Sequence, residues 1–370
     1  MWRRWAGRHP TGIDRVCLAY LEHFGRDAQA VIQHRRIRKI LDGESSSVLF
    51  DLLAKPSRNF RRALAGQAIR FGLRTGCDGR GRIYLNVGHT GLNDDGFRTW
   101  VRRTGVRPVY FVHDLIPIAH PELCRSGERE KHVERMRTVL TTAVGVIANS
   151  QATLDELSDF SRSEGIRSSQ SISALLGTEP MAASKGHPEP AQPTFVIVGT
   201  IEARKNHLML LQVWSRLVRR LGSVAPRLLV IGQRGWECEQ VLDLLDRSEL
   251  LKGVVVEIDR CDDATLVGHL AHARALLFPS LAEGYGLPLI EALQAGTPVI
   301  ASDLSVFREL AGDVPDYLDP LDGPAWERAI LDYSQDSSAR RARQLERIAS
   351  HRTPTWQDHF DVVDPWLTKL

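Results

Sequence analysis

The amino-acid sequence predicts an α/β protein in which two doubly wound parallel-sheet domains face each other across a central cleft. The chain has 370 residues, more than one hydrophobic core usually organises, which suggests two domains. Short β-rich apolar runs alternate with helical stretches in both halves, as in parallel βαβ units. The alternation stops at 177–193, where four prolines and few apolar residues indicate an interdomain linker.

The domain boundaries follow from that interruption. We place a first Rossmann-like domain at 1–180, the linker at 181–193 and a second Rossmann-like domain at 194–354. Because domains of this kind bind ligands at the carboxyl ends of their parallel strands, the functional site is expected in the cleft between the two sheets.

In the first domain, apolar runs predict strands at 30–33, 82–87, 107–114, 143–150 and 171–176. Helices are expected at 13–24, 56–74, 92–104, 127–142 and 151–160. No strand is expected before the first of these helices, although a Rossmann unit requires one. We therefore interpret the natural amino terminus as lying upstream of Met1.

In the second domain, strands are expected at 194–199, 227–232, 253–258, 273–280 and 298–302. The helices between them are expected at 205–221, 236–250, 263–272 and 288–295. A helix-rich tail that contains two tryptophans closes the chain.

The composition is that of an ordinary globular protein, with 43% hydrophobic and 25% charged residues. Five cysteines without a CxxC pair indicate a reducing compartment. No segment approaches the roughly 20 apolar residues of a membrane-spanning helix, and the start of the chain lacks the apolar core of a signal peptide. The sequence therefore predicts a cytoplasmic protein, with peripheral membrane contact at most.

Charge is distributed unevenly along the chain. Residues 1–190 carry a net charge of +9 and residues 191–370 carry −6. This asymmetry predicts an anionic partner for the first half, such as a lipid headgroup surface or a lipid diphosphate; an Arg-rich composition with solvated faces is the alternative.

The basic residues at 35–39 lack interleaved aromatics, so nucleic-acid binding is not expected. The histidines show no HExxH or comparable spacing, so no metal site is expected.

A glycine-rich helix start follows the strand expected at 273–280, in the sequence AEGYGLPLIEALQAGTPVI. Pro288 suits the first helical position, and Gly284 and Gly286 permit close backbone approach. Free N–H groups at the positive end of a helix are suited to phosphate. A carboxylate so close to a phosphate should not bind the phosphate itself, but it is suited to the paired hydroxyls of a sugar. We therefore assign hydroxyl recognition to Glu283 in the loop. The alternative is a helix that begins with proline and has an acidic first turn.

Three other segments carry candidate chemistry. Arg204 and Lys205 stand at a helix start, where cations are unfavourable to the dipole, so their placement indicates an anion such as a diphosphate. His113 and Asp114 follow an apolar strand and are suited to acid–base chemistry or to a sugar hydroxyl; a histidine satisfied by local backbone is the alternative. Gly12 precedes an amphipathic helix and would admit a phosphate, although a lone glycine is weak evidence.

A known family has a signature that resembles the segment FPSLAEGYGLPLIEALQAGTPVIASD. It is the family-4 retaining glycosyltransferases, which have the GT-B fold of two Rossmann-like domains. The spacing of two glutamates, the aromatic-Gly-Leu-Pro core and the Gly-Thr-Pro-Val ending all match. The segments GTIEARKNH, HDLIPIAHPE and IANSQAT resemble further landmarks of that family. The resemblance spans nearly the whole chain, and the pattern is similar to bacterial mannosyltransferases of surface-polysaccharide assembly.

The resemblance implies a role for each matching residue. Glu283 would lie beside the donor sugar, and Glu291 would bind the nucleotide ribose. Arg204 and Lys205 would stabilise the departing nucleoside diphosphate, and His113 would contact the transferred sugar. The remaining donor-binding positions, which act through their backbone or through the space that they leave, would be Gly12, Gly284, Tyr285, Gly286 and Leu287. The last helix, at about 355–370, would pack back on the first domain.

The implied activity is metal-independent hexosyl transfer with retention, from a nucleotide-sugar co-substrate and without another cofactor. The preferred donor is GDP-mannose, and the acceptor is a lipid-diphosphate-linked or polysaccharide glycan at the cytoplasmic face of the membrane. The chain departs from the family at Gly199-Thr200, where many members carry Gly-Arg, and at DRCDD (259–263), which leaves GDP and UDP both open. The alternatives are another GT-B enzyme, either a UDP-sugar transferase or an epimerase, and an inactive nucleotide-sugar-binding subunit of an assembly complex.

Overall fold

The computed structural model describes residues 12–34, 37–54, 59–73, 76–178, 189–259 and 261–370. The first half contains a four-stranded parallel sheet in the order β3-β4-β5-β6. Its strands are β3 (Ile83–Asn86), β4 (Arg107–Val112), β5 (Gly145–Ala148) and β6 (Gln170–Ser173). The helices of this half are α1 (Gly12–Phe24), α2 (Gly43–Ala54), α3 (Phe60–Leu73), α4 (Phe97–Thr104), α5 (Ile116–Ala119), α6 (Glu128–Thr142) and α7 (Gln151–Ser163).

The central strand β4 shows why this sheet is covered on both faces. Tyr110 and Val112 pack into one apolar cluster, while Val109 and Phe111 pack into another on the opposite face. Successive side chains of a strand point to opposite faces, so an uninterrupted apolar run must be buried on both sides. The run PVYFV therefore produces a central strand between two helical layers.

The second half contains a six-stranded parallel sheet in the order β12-β11-β10-β7-β8-β9. Its strands are β7 (Thr194–Val198), β8 (Arg227–Ile231), β9 (Val255–Ile258), β10 (Ala275–Phe278), β11 (Val299–Ser302) and β12 (Asp316–Leu318). The helices are α8 (His207–Leu221), α9 (Glu239–Arg247), α10 (Asp263–Ala271), α11 (Leu287–Gln294), α12 (Ser305–Ala311), α13 (Gly323–Tyr333), α14 (Ala339–Ser350) and α15 (Trp356–Lys369). The strand order runs outward in opposite directions from the β7–β10 pair, which makes this pair the topological switch point.

One expectation from the sequence was wrong, and several elements were not predicted. The run at 30–33 does not join a parallel unit, because β1 (Val31–His34) pairs antiparallel with β2 (Ile37–Ile40) in a separate two-stranded sheet. Two residues separate these strands, which is too short for a parallel crossover. The helix α2 and the strands β2 and β12 were not predicted. Residues 1–11, on which the interpretation of the amino terminus depends, and residues 181–188 of the linker lie outside the described residues.

The last helix, α15, lies against the first domain. Its start is fixed by a capping box: Thr355 Oγ1 accepts a hydrogen bond from the Asp358 backbone N–H (3.1 Å), and Asp358 Oδ2 accepts one from the Thr355 N–H (2.9 Å). His359 then bonds both Tyr20 of α1 and the Leu175 carbonyl oxygen. This helix therefore ties the end of the chain to the sheet that precedes the linker.

Within the described part of the chain, no helix combines the length and the apolar content that crossing a membrane requires.

Candidate active site

The candidate site lies where two loops leave the switch point of the second sheet. One loop follows β7 and contains the short 3₁₀ turn Ala203–Lys205; the other follows β10 and leads into α11. The Leu281 N–H donates to the Arg204 carbonyl oxygen (2.8 Å), and the Asn206 side chain donates to the Pro279 carbonyl oxygen (3.2 Å). These bonds hold Arg204 and Lys205 beside the loop 279–286, which carries Glu283 and is called the glutamate loop below.

Glu283 is the centre of a buried charge network. Its carboxylate accepts hydrogen bonds from Arg204 Nη1 (2.6 Å), from Ser280 Oγ (2.7 Å) and from Lys205 Nζ. Burial by itself raises the pKa of Glu283, but the two cations outweigh it and hold the pKa at about 2. Glu283 is therefore ionised at neutral pH, although only 6% of its side chain is exposed.

The two cations differ in their access to the cleft. Arg204 Nε also binds buried Glu202 (2.6 Å), and 25% of the Arg204 side chain is exposed. Lys205 is more deeply buried and lies 4.8 Å from the centre of the Phe278 ring. Burial lowers the pKa of Lys205, and Glu283 offsets only part of that effect. Arg204 is thus the cation that is more open to an anionic ligand.

His113 lies at the end of β4, directly behind the glutamate loop. A Cβ added to Gly284 would lie 2.6 Å from the His113 carbonyl oxygen and 2.7 Å from the Asp114 Cβ, so the loop touches the first domain at a position that only glycine fits. His113 Nε2 donates to the Val87 carbonyl oxygen (2.6 Å), because a carbonyl oxygen can only accept. Burial lowers the pKa of His113. The ring is therefore neutral, with Nδ1 as its acceptor nitrogen.

The next three residues of the loop shape the start of α11. Tyr285 is buried, and its hydroxyl donates to the Leu176 carbonyl oxygen (2.7 Å), so its side chain joins the two halves of the chain. Gly286 has φ +124°, and a Cβ there would lie 2.7 Å from the Phe307 ring. A Cβ on Gly12 would lie 3.4 Å from Leu287 Cδ1, which places the start of α1 beside this loop.

Glu291 lies one turn into α11 and contacts the first domain. Its carboxylate is buried and forms an ion pair with Arg15 of α1. Sequence reasoning named Glu291 but missed Arg15. The signal was the position of Arg15 one turn after Gly12, because both then face the start of α11.

The structure brings most of the predicted site residues into contact with one another or with the facing domain. Arg204 and Lys205 each form an ion pair with Glu283. Gly284 abuts the backbone of His113, and Gly12 abuts Leu287. Tyr285 and Gly286 shape the loop. Glu291 reaches the first domain rather than the Glu283 network. Glu202 and Ser280 were missed, although both follow strand ends at the switch point.

His207 begins α8, two residues after Lys205, and has an unusual environment. The ring is buried among Ile197, Leu210 and Leu228, and neither ring nitrogen has a hydrogen-bond partner. Burial, assisted by Lys205, lowers the pKa of His207 to about 3. An unpaired buried polar group costs about 1–3 kcal/mol.

We expect His207→Leu to raise the free energy of unfolding by about 1–3 kcal/mol at pH 7, because leucine fills the same apolar site without unpaired nitrogens. A histidine whose pKa is depressed on folding contributes stability above its unfolded value of about 6.5 and loses it as the pH falls toward the folded value. The variant should therefore also lose less stability between pH 7 and pH 4. Chemical denaturation at several pH values measures both effects; a destabilised variant with an unchanged pH slope would contradict the expectation.

No group of three or more histidine, cysteine, aspartate or glutamate side chains in the described ranges is arranged to hold a metal ion.

Comparison with solved structures identifies the class of fold. Anabaena HepE, solved in complex with UDP and glucose, superposes with a TM-score of 0.67 over 98% of this chain and 97% of its own, at 16% identity. Sucrose-phosphate synthase from Thermosynechococcus elongatus superposes with a TM-score of 0.62 over 97% of this chain and 93% of its own, also at 16% identity. The protein therefore has the two-domain GT-B fold.

Sequence comparison then gives the family. The profile described as "Glycosyl transferases group 1" matches residues 182–343. The O-antigen chain mannosyltransferase B of Escherichia coli is 31% identical over 268 residues, which cover 68% of each chain. The protein belongs to the group 1 glycosyl transferases. The serotype-specific mannosyltransferase WbdA of Escherichia coli is 29% identical over 57% of this chain, which spans 28% of the length of that relative.

Proposed function

We propose that the protein is a retaining glycosyltransferase that moves mannose from GDP-mannose onto a lipid-linked or polysaccharide acceptor during synthesis of a cell-surface glycan. The observation that carries the proposal is the buried network of Glu283 with Arg204 and Lys205 at the switch point, in a loop whose next residue, Gly284, abuts His113. One site then offers a carboxylate for sugar hydroxyls and cations for a diphosphate.

The cations act on the leaving group. As the bond between the sugar C1 and the diphosphate oxygen breaks, negative charge grows on the diphosphate. Arg204 and Lys205 are held by carboxylates before the donor arrives, so they need little reorganisation to stabilise that charge. The N-terminus of α11 adds its dipole on the same side. These groups supply positive charge without a metal ion, which is the basis for proposing metal-independent transfer.

The first domain completes the reaction. The acceptor hydroxyl attacks C1 on the face that the diphosphate leaves, and a phosphate oxygen of the donor takes the hydroxyl proton, so the configuration is retained. Neutral His113, with Nε2 committed to the Val87 carbonyl, offers Nδ1 as an acceptor for a hydroxyl of the transferred sugar. His113 is thereby a sugar-orienting group and not the proton donor.

The nucleotide is proposed to lie along α11. Glu291 would bind the ribose hydroxyls, which would share or replace its bond to Arg15. Mannose is supported by the names of the two Escherichia coli relatives, both of which are mannosyltransferases. We place the acceptor at the cytoplasmic face of a membrane because the first 190 residues carry the positive charge.

A thermal-shift series with GDP-mannose, UDP-glucose and dTDP-glucose tests the donor. We expect GDP-mannose to raise the melting temperature most, since a ligand at a hundred times its Kd stabilises the native state by about 2.7 kcal/mol. GDP release from GDP-mannose would then report turnover.

Two variants serve as references for that series. Glu291→Ala should abolish the nucleotide-induced shift, whereas Glu346→Gln, on an exposed face of α14, should retain it. Stabilisation by UDP compounds alone would refute the GDP-mannose assignment, and no stabilisation by any nucleotide would refute the enzyme proposal.

A further inference from the structure

A contact between the two domains lies next to the candidate site, at the start of α7. Glu309, on α12 of the second domain, accepts hydrogen bonds from the backbone N–H groups of Gln151 (2.6 Å to Oε1) and Ala152 (3.1 Å to Oε2). Ser150 is the N-cap of the same helix, and its hydroxyl accepts from the Thr153 N–H (3.1 Å). Glu309 thus accepts hydrogen bonds from the first two backbone N–H groups of α7, which the Ser150 side chain does not bind.

The chemistry of this contact favours a specific docked position. The first N–H groups of a helix have no partner within the helix, and the helix dipole makes this end positive. A carboxylate that accepts two such bonds gains charge assistance and a fixed direction. Neighbouring Arg308 instead binds Asp303 and Asp313 within its own domain. Glu309 is the member of this pair that faces the first domain.

The same helix end also contacts the glutamate loop. Thr153 Oγ1 donates to the Gly284 carbonyl oxygen (3.3 Å), and the Asn149 side chain donates to the His113 carbonyl oxygen (2.8 Å). Gly284 itself abuts His113. The segment 149–153 therefore connects Glu309, the Glu283 loop and His113 through short contacts.

We propose that Glu309 is a positioning residue, which holds the two domains in the arrangement where the Glu283 network and His113 face one substrate. The inference rests on the proposed glycosyl transfer. Glu309 touches the first domain through backbone amides and lies outside the charge network. Its loss should therefore weaken domain closure while leaving donor contacts within the second domain intact. Closure that assembles a site affects the chemical step more than ground-state binding.

The test compares Glu309→Ala and Glu309→Gln with the parent and with the exposed control Glu346→Gln. We expect Glu309→Ala to speed hydrogen exchange at the amides of Gln151 and Ala152 at least tenfold and to increase the radius of gyration measured by X-ray scattering. With GDP-mannose, kcat should fall about tenfold while the donor KM stays within twofold. Glu309→Gln keeps one acceptor oxygen without the charge and should be intermediate.

Each other outcome has a defined meaning. Unchanged exchange at the two amides would overturn the contact, and faster exchange with an unchanged kcat would overturn its positioning role. A loss of equal size in Glu346→Gln would also overturn it. If the parent does not turn over GDP-mannose, the donor proposal fails separately, and the exchange and scattering measurements still decide whether Glu309 holds the domains together.

Discussion

Lys205→Ala is expected to slow sugar transfer about a hundredfold, equivalent to roughly 3 kcal/mol of transition-state stabilisation. Lys205 donates to Glu283 from a buried position, in a loop that also presents Arg204. Removing a preorganised cation from a site of low dielectric takes away charge stabilisation that water cannot replace. The measurement is kcat for release of the nucleoside diphosphate at saturating donor.

The control for that variant is Lys252→Ala, which removes an exposed lysine of the same domain that pairs with Glu249. It should leave kcat within twofold. Small alkylammonium ions supplied to Lys205→Ala should restore part of the rate if the lost positive charge is the cause. Full activity of Lys205→Ala at saturating donor would show that the cation does not assist transfer.

The same variant should change acid stability in a defined direction. Glu283 has a folded pKa of about 2, below its ordinary value of 4.5. A depressed carboxyl pKa contributes stability above the unfolded value and loses it as the pH falls through the folded value. Without Lys205, burial is less well compensated, so the pKa of Glu283 rises. The stability that Glu283 contributes in the parent should therefore be lost at higher pH in the variant, which acid-induced unfolding would measure.

The sequence predicted much of the fold because local patterns were strong. The run PVYFV could only form a strand buried on both faces, and β4 is such a strand. The strand at 30–33 was assigned to a parallel unit because strand propensity alone does not distinguish parallel from antiparallel partners. The strand β12 has three residues, too few to produce a periodic signal.

The candidate site was predicted in part for a similar reason. Strand ends at a switch point identify where cations and carboxylates meet, which placed Arg204 and Glu283 near one another. Their direct bond spans 79 positions, and the pairing of Glu309 with the start of α7 spans 158. Such contacts depend on how the two domains dock, and no local pattern in one sequence encodes that docking.

That docking makes Gly284→Ala the second large expected effect. The added methyl group would meet the His113 carbonyl oxygen at 2.6 Å and the Asp114 Cβ at 2.7 Å, so the loop or the domain must move away. A displacement of about 1 Å in a positioned site can cost a hundredfold in rate. We therefore expect kcat/KM to fall by about that factor.

The nucleotide contacts of the second domain separate this effect from a failure to bind donor. The nearest atoms to a Cβ added at Gly284 belong to His113 and Asp114 of the first domain. Stabilisation by nucleoside diphosphate should therefore persist in Gly284→Ala while transfer is lost. Gly66→Ala is the matched control: its Cβ would meet nothing within 4 Å, and alanine in an exposed helix stabilises by up to about 1 kcal/mol. If both variants kept the parent's kcat/KM, the close approach of the glutamate loop to His113 would not be needed for transfer, and catalysis would have to proceed with the cleft more open.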